Sequence, residues 1–129
     1  MTPDGVRYET EEGKMLGAAV NRGSHVGGMD KEGNGVELKI TAPESGAYVI
    51  RIYHTAPVGK ATHTYTVDGT AKGKITYGGT LTGWGVFDPA NYAEISVTLT
   101  AGEHTLRVYR EASEESFAEL DAILVYPKG

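Results

Sequence analysis

The chain of 129 residues contains no cysteine. Disulfide bonds, thiolate metal ligands and cysteine nucleophiles are therefore excluded, although this does not fix the cellular compartment. No apolar run approaches the roughly 20 residues of a membrane-spanning helix, and the start, Met1-Thr2-Pro3-Asp4-Gly5, is too polar for a signal peptide. Two interpretations follow: a cytoplasmic protein, or a module cut from a longer secreted chain. We expect the second, with residues 1–6 as the remnant of a linker and residues 7–127 as one module.

Clustered positive charge is also missing. Lys and Arg number 12 against 17 Asp and Glu, and each Lys or Arg stands alone in the sequence. Nucleic acids and anionic membranes require a basic patch, so neither is expected as a partner. The chain lacks a Gly-x-Ser-x-Gly elbow, a phosphate-binding glycine loop and a His-Glu-x-x-His motif. Its four histidines, which lack zinc-motif spacing, are interpreted as polar loop or strand residues.

Glycine, tyrosine and β-branched residues are abundant instead, with 18 Gly and 8 Tyr. Such a composition favours turns and pleated strands. Apolar and polar residues alternate, as in half-buried strands, across residues 36–41, 48–53, 95–99 and 105–109. Residues 62–67 and 71–76 are predicted to form a hairpin, and residues 121–126 a mixed, more fully buried closing strand. Asp68-Gly69 predicts a hairpin turn, and an opening pair of strands is expected from Arg7 to Glu12 and from Lys14 to Val20. The fold class is therefore all-β, a two-sheet antiparallel β-sandwich of jelly-roll type with about ten short strands.

Four long irregular stretches fall, by strand counting, at the same end of this sandwich. They run from Asn21 to Asn34, Thr55 to Ala61, Tyr77 to Tyr92 and Glu111 to Glu119, whereas residues 42–46, 68–70 and 100–103 form tight turns at the other end. Binding surfaces usually lie on long loops, because loops vary while the sheets hold their position. This asymmetry favours a recognition module over a catalytic domain.

Three acidic residues are candidates for a metal site. Glu9 and Glu11 lie two residues apart, so on a strand both would leave the same face, and Asp121 interrupts an apolar closing strand. A hard cation with oxygen ligands would neutralise all three. Alternatively, Glu9 and Glu11 are the solvent side of an edge strand.

The single tryptophan, Trp84, also has two interpretations. Core tryptophans are common in sandwiches, but Gly83 and Gly85 flank this one, which suits a sharply turned loop. An exposed indole could stack on the apolar face of a pyranose. Phe87 is interpreted as a packing residue.

Several segments, in order, resemble carbohydrate-binding modules of families 6 and 35. The opening Tyr8-Glu9-Thr10-Glu11 resembles their Tyr-Glu-Ala-Glu start. The loop at residues 55–60 resembles family 35 more than family 6. Further similar segments are Gly46-Ala47-Tyr48-Val49-Ile50-Arg51-Ile52-Tyr53, Tyr65-Thr66-Val67-Asp68-Gly69, Thr82-Gly83-Trp84, Leu99-Thr100-Ala101-Gly102-Glu103-His104-Thr105-Leu106 and Leu120-Asp121-Ala122-Ile123.

The resemblance implies site residues. It implies a structural calcium ion held by Glu9, Glu11 and Asp121, and it implies that Trp84 lies in the sugar cleft. Polar side chains near the long loops could bind sugar hydroxyls; the further candidates are Tyr53, His54, Arg110, Glu119 and Asp30. The family often has Asn where this chain has Glu119, and a carboxylate there would disfavour a uronic acid unless Arg110 or calcium offsets it. The first loop has Met29-Asp30 where an aromatic residue often stands.

The implied function is non-catalytic carbohydrate binding. The module would target an appended glycoside hydrolase or related enzyme to plant cell-wall polysaccharide, because mannan, xylan, galactosides and uronate-bearing glycans are bound within the resembling families. We expect a monomeric, extracellular part of a larger secreted protein without enzymatic activity. One alternative is a small glycosidase with two carboxylates facing across a cleft. Another is a protein-adhesion sandwich, which the charged outward residues Glu37, Lys39, Arg51 and Arg107 disfavour.

Overall fold

The computed structural model describes residues 5–80, 82–111 and 117–128. Strands dominate these ranges, together with one short 3-10 helix, Thr10–Glu12. The strands are β1 (Val6–Glu9), β2 (Lys14–Leu16), β3 (Val20–Asn21), β4 (Val26–Gly27), β5 (Gly35–Ala42), β6 (Gly46–Thr55), β7 (Ala61–Val67), β8 (Thr70–Tyr77), β9 (Tyr92–Leu99), β10 (Gly102–Tyr109) and β11 (Glu119–Pro127). β1 thus begins at residue 6, the last residue of the expected linker.

The strands form two antiparallel sheets, which confirms the predicted fold class. One sheet has the order β3-β4-β11-β6-β9, with β1 also pairing with β11, and the other has the order β2-β5-β10-β7-β8. β1 and β4 share one edge of β11, since β1 pairs along Ala122–Val125 and β4 pairs at Leu120.

Strand register brings the long connections to a common end of each sheet. Thr55 lies opposite Glu119 and Tyr53 opposite Tyr92 in the first sheet, while Ala61 lies opposite Tyr77 in the second. The long connections are residues 28–34, 56–60, 78–91 and 110–118, of which Leu81 and residues 112–116 lie outside the described residues. The loops therefore gather where strand counting predicted.

The backbone conformation of the turn between β7 and β8 explains why its sequence is Asp68-Gly69. Asp68 has φ 52° and Gly69 has φ 81°. Two consecutive residues in the left-handed region define a turn whose twist matches that of the flanking strands. The predicted hairpin is therefore confirmed, and glycine is needed at its second position.

The predicted opening pair of strands is wrong. β1 pairs with β11 and β2 pairs with β5, so the two segments belong to different sheets. The 3-10 helix makes the crossing, and the buried Thr10 hydroxyl, which lies 2.7 Å from the carbonyl of Leu120 and 2.8 Å from that of Asp121, ties it to β11. Glu11 is consequently a helical residue and not a strand neighbour of Glu9.

The core lies between the two sheets. Ile40, Leu106, Ile50 and Ile123, two from each sheet, are fully enclosed. Burying such a side chain contributes about 1.5–3 kcal/mol, so these inward faces hold the sheets together. No helix in the described ranges is long and apolar enough to cross a membrane.

Candidate functional site

A pocket of about 600 Å³ opens among the long loops. Its walls come from the segment between β3 and β5, from the β8–β9 loop and from the start of β11. The lining residues are Arg22, His25, Gly28, Met29, Asp30, Trp84, Gly85, Phe117, Ala118 and Glu119. This size is within the range of small-ligand sites.

Glu119 is the buried acid of the pocket, with only 7% of its surface exposed. The backbone N–H of Gly85 donates to its Oε1 at 2.7 Å, and the Nε of Arg22 lies 3.3 Å from its Oε2. A buried carboxylate requires such partners. The cation that offsets Glu119 is therefore Arg22, which sequence reasoning did not select, and not Arg110.

Gly27 makes the approach of Arg22 and Glu119 possible. The pairing of Val26 with Leu120 sets Gly27 opposite Glu119 on the neighbouring strand. A Cβ at Gly27 would lie 2.3 Å from Arg22 Nε and 2.6 Å from Glu119 Oε2. Any larger residue would have to displace one of the two charged groups.

His25 is a second pocket residue that the sequence did not identify. It is 8% exposed, and its Nε2 lies 3.6 Å from Glu119 Oε2. The backbone N–H of Arg22 donates to the carbonyl of His25 at 2.9 Å, so a tight turn between β3 and β4 presents both side chains. Phe87 packs on the imidazole with ring centroids 5.1 Å apart, in agreement with its predicted packing role.

Two exposed aromatic side chains share the pocket. Trp84 is 47% exposed and Phe117 is 38% exposed, so Trp84 lies in the pocket wall and not in the core. The guanidinium carbon of Arg110 lies 4.9 Å from the centroid of the Phe117 ring. The first loop has Met29-Asp30 where the resembling family often has an aromatic residue. In this chain the second aromatic residue of the pocket is Phe117.

The loop that carries Trp84 is anchored by one buried hydroxyl. Thr55 Oγ1 lies 3.1 Å from Thr80 Oγ1, 3.0 Å from Thr82 Oγ1 and 3.2 Å from the carbonyl oxygen of Gly83. Thr55 ends β6 and is fully buried. The rigid sheet therefore fixes the residues immediately before Trp84.

The remaining ligand-binding candidates divide between the pocket and the sheets. Asp30 is an exposed residue of the pocket wall. Tyr53 lies on β6 in a small cluster with Ala122 and Leu124 and contacts Tyr92, while His54 packs on Tyr77 with ring centroids 4.6 Å apart. Burial lowers the pKa of His54 below its ordinary value. Neither Tyr53 nor His54 lines the pocket.

The predicted calcium ligands adjoin an arginine. Arg7 Nε lies 2.5 Å from Glu9 Oε2, and Arg7 Nη2 lies 3.3 Å from Asp121 Oδ2. Desolvation raises the pKa of Asp121 above its ordinary value. Glu11 Oε1 is buried without a hydrogen-bond partner. In the described part of the chain, no three His, Asp or Glu side chains are arranged to hold a metal ion.

The fold and the pocket define a β-sandwich with an aromatic-lined pocket on its long loops, the architecture of a binding module. A profile of the family described as carbohydrate binding module (family 35) matches residues 6–127. The chain therefore belongs to carbohydrate-binding module family 35.

Sequence and structure comparisons also identify proteins that are similar to this chain. Mannan endo-1,4-beta-mannosidase B of Piromyces sp is 31% identical over 80 residues, which cover 56% of this chain and 14% of that enzyme. The chain therefore spans a small part of this curated relative. The family 35 carbohydrate binding module from Clostridium thermocellum shares the fold with a TM-score of 0.78 at 24% identity, over 93% of this chain and 97% of that one. The cycloalternan-forming enzyme from Listeria monocytogenes, solved in complex with pentasaccharide substrate, gives a TM-score of 0.79 at 26% identity, over 92% of this chain and 12% of that one.

Proposed function

We propose that this chain is a non-catalytic module that binds a polysaccharide or oligosaccharide in the loop pocket and thereby holds an attached enzyme on its substrate. The observation that carries the proposal is Trp84, which stands 47% exposed in the wall of a pocket on a family 35 fold. A contiguous exposed apolar patch marks a ligand-binding groove, whereas a single exposed apolar side chain does not. Trp84 shares this pocket with a second exposed aromatic residue, Phe117.

The pocket has the chemistry that a sugar requires. The indole of Trp84 and the ring of Phe117 offer faces on which the C–H groups of a pyranose can stack. Arg22, Asp30 and Glu119 add charged groups that can orient hydroxyls by hydrogen bonding. Apolar stacking and a few polar contacts together would select a carbohydrate.

Mannan is the first glycan to test, because the curated relatives are mannan endo-1,4-beta-mannosidases. Xylan, galactosides and uronate-bearing glycans follow. Attachment to a glycoside hydrolase, an extracellular location and action on the plant cell wall belong to the same proposal.

Affinity electrophoresis against these polysaccharides tests the proposal. We expect retardation of the parent by at least one glycan and loss of that retardation in Trp84→Ala, because interface tryptophans often contribute about 2 kcal/mol or more. Val58→Ala is the matched control, since Val58 is an exposed loop residue outside the pocket.

Thermal melts of the same proteins separate binding from folding. Trp84→Ala should melt close to the parent, whereas truncation of a core aromatic residue costs about 3–5 kcal/mol. Full retardation of Trp84→Ala by the glycan, or no retardation of the parent, would contradict the proposal.

A small glycosidase is the second candidate, because Asp30 and Glu119 are two carboxylates on one pocket. Glu119, however, already accepts the Gly85 N–H and pairs with Arg22, which occupies a carboxylate that hydrolysis would need as acid, base or nucleophile. Release of reducing ends from a soluble glycan by the purified chain would establish the glycosidase instead.

We also propose a calcium ion at Glu9, Glu11 and Asp121 as a structural cofactor. Because these three side chains are not arranged to hold an ion in this structure, they would converge on the ion when it binds. The buried, unpaired Oε1 of Glu11 supports it, because a buried carboxylate oxygen needs a donor or a cation. Carboxylates are also the oxygen ligands that calcium prefers. The ion would replace Arg7 as the counter-charge of Glu9 and Asp121.

A further inference from the structure

One ring nitrogen of His25 has no partner among the described residues. Ser24 Oγ lies 2.9 Å from Nδ1, but Nε2 is buried without a hydrogen bond, in a residue that is only 8% exposed. Buried polar atoms are nearly always hydrogen-bonded in native proteins. This nitrogen therefore requires a hydrogen-bond partner that the described residues do not supply.

Gly85 leaves room for that partner. A Cβ built on Gly85 would lie 3.6 Å from Cε1 and 3.8 Å from Nε2 of His25, so a side chain there would cover this edge of the imidazole. Gly85 has φ 75°, a region in which glycine is favoured. The same residue donates its N–H to Glu119, so it orients the acid and places no side chain over this edge of the imidazole.

His25 Nε2 and Glu119 Oε2 are complementary groups 3.6 Å apart on one pocket wall. When the Ser24 hydroxyl donates to Nδ1, the neutral imidazole carries its proton on Nε2 and is a donor there. An ionised carboxylate only accepts. A hydroxyl group can accept from the imidazole and donate to the carboxylate at the same time.

We propose that His25 and Glu119 form a donor–acceptor pair that holds one hydroxyl group of a neutral sugar ring, so that the pocket prefers neutral glycans to uronates. The inference rests on the proposed glycan binding at this pocket. A uronate carboxylate has no proton to donate to Glu119 and would face its negative charge, while Arg22 is already paired with Glu119.

The experiment uses isothermal titration calorimetry with mannohexaose, cellohexaose, xylohexaose and trigalacturonate. His25→Phe removes the donor and keeps a ring against Phe87, whereas His25→Gln restores an N–H donor. Glu119→Gln keeps an oxygen for the Gly85 N–H and loses the second acceptor. His104→Gln is the matched control, because His104 pairs with Asp68 in the turns at the opposite end of the sandwich.

We expect His25→Phe and Glu119→Gln each to weaken binding of a neutral hexasaccharide by about 10- to 100-fold, the loss expected for one hydrogen bond to a charged group. His25→Gln should recover part of the loss, and His104→Gln should bind as the parent does. The double variant should lose little more than either single variant, because both remove the same bridge. Trigalacturonate should bind more weakly than the neutral sugars.

Each other outcome contradicts a defined part of the proposal. If Trp84→Ala abolishes binding but His25→Phe and Glu119→Gln do not weaken it, the pair is not a hydroxyl site and the proposed function stands. If trigalacturonate binds most tightly, the preference for neutral sugars is wrong. If the parent binds none of the four sugars and no polysaccharide retards it in a gel, both the pair and the proposed function are overturned.

Discussion

At the scale of single residues, His104 and Asp68 link stability to pH. The carbonyl of Thr100 accepts from His104 Nε2 at 2.7 Å and Asp68 lies 2.6 Å from Nδ1, and these contacts hold the pKa of His104 above its ordinary value of 6.5. The N–H of Thr105, helped by His104, holds the pKa of Asp68 below 3.8. His104 thus binds its proton more tightly in the folded state than in the unfolded chain.

The stability from this pair should therefore be present below the unfolded pKa of histidine and lost as pH rises through the folded pKa. Asp68→Asn keeps an oxygen for Thr105 and removes the charge. We expect the parent to melt above this variant at about pH 5 and the gap to narrow by about pH 8. Comparing melts of the two proteins cancels the opposite contribution of His54, whose pKa is lowered.

Asp88→Asn is the control for that series, since Asp88 accepts the Ala90 N–H in a loop. The difference in melting temperature between Asp88→Asn and the parent should stay constant across the pH range in which histidine titrates. A gap between the parent and Asp68→Asn that is equal at both pH values would show that His104 is not the titrating group.

The site residues that sequence could identify are those with a local or family signal. Trp84 stands between glycines, and Glu119 occupies a position that the family resemblance marks. Arg22 and His25 carry no such signal, because their role arises from a turn between two-residue strands and from the absence of a side chain at Gly27. Only folding brings them to Glu119.

At the scale of elements, the alternating segments were predictable and their partners were not. The alternation of apolar and polar residues indicates which face of a strand is buried. It therefore predicts β5, β6, β9 and β10 near their observed bounds. It does not report pairing. The sequence predicts that the two opening segments pair with each other, whereas each pairs with a distant strand in a different sheet.

The anchoring of the β8–β9 loop by Thr55 leads to a testable prediction. Thr55→Val keeps the shape of the buried side chain but removes the hydroxyl that contacts Thr80, Thr82 and Gly83. We expect the free energy of unfolding to fall by about 1–3 kcal/mol, because buried polar groups lose their partner. Glycan affinity should also fall, since Trp84 follows the released segment.

Chemical denaturation and glycan titration measure the two effects. Thr98→Val on the exposed face of β9 makes the same substitution where no loop is anchored, and it should leave affinity unchanged. Unaltered affinity in Thr55→Val despite a loss of stability would mean that the Thr55 contacts do not position the tryptophan.

At the scale of the whole molecule, the two ends of the described chain meet at β11. β1 pairs with β11, and the Thr10 hydroxyl contacts the backbone of Leu120 and Asp121. The proposed calcium ion would add a further link at this junction between Glu9, Glu11 and Asp121. An ion that joins the first and last strands should act on global unfolding and leave the loop pocket unaffected.

Melting curves with and without a chelator test this ion. A ligand bound only by the folded state stabilises by mass action, by about 2.7 kcal/mol at 100 times its dissociation constant. We therefore expect EDTA to lower the melting temperature and added calcium to restore it. Glu11→Gln should reduce this response, because Glu11 holds the buried, unpaired oxygen. Glu12→Gln, an exposed neighbour in the same 3-10 helix, should respond to calcium as the parent does. Identical melting curves of the parent with and without EDTA would rule the ion out, and leave Arg7 as the counter-charge of Glu9 and Asp121.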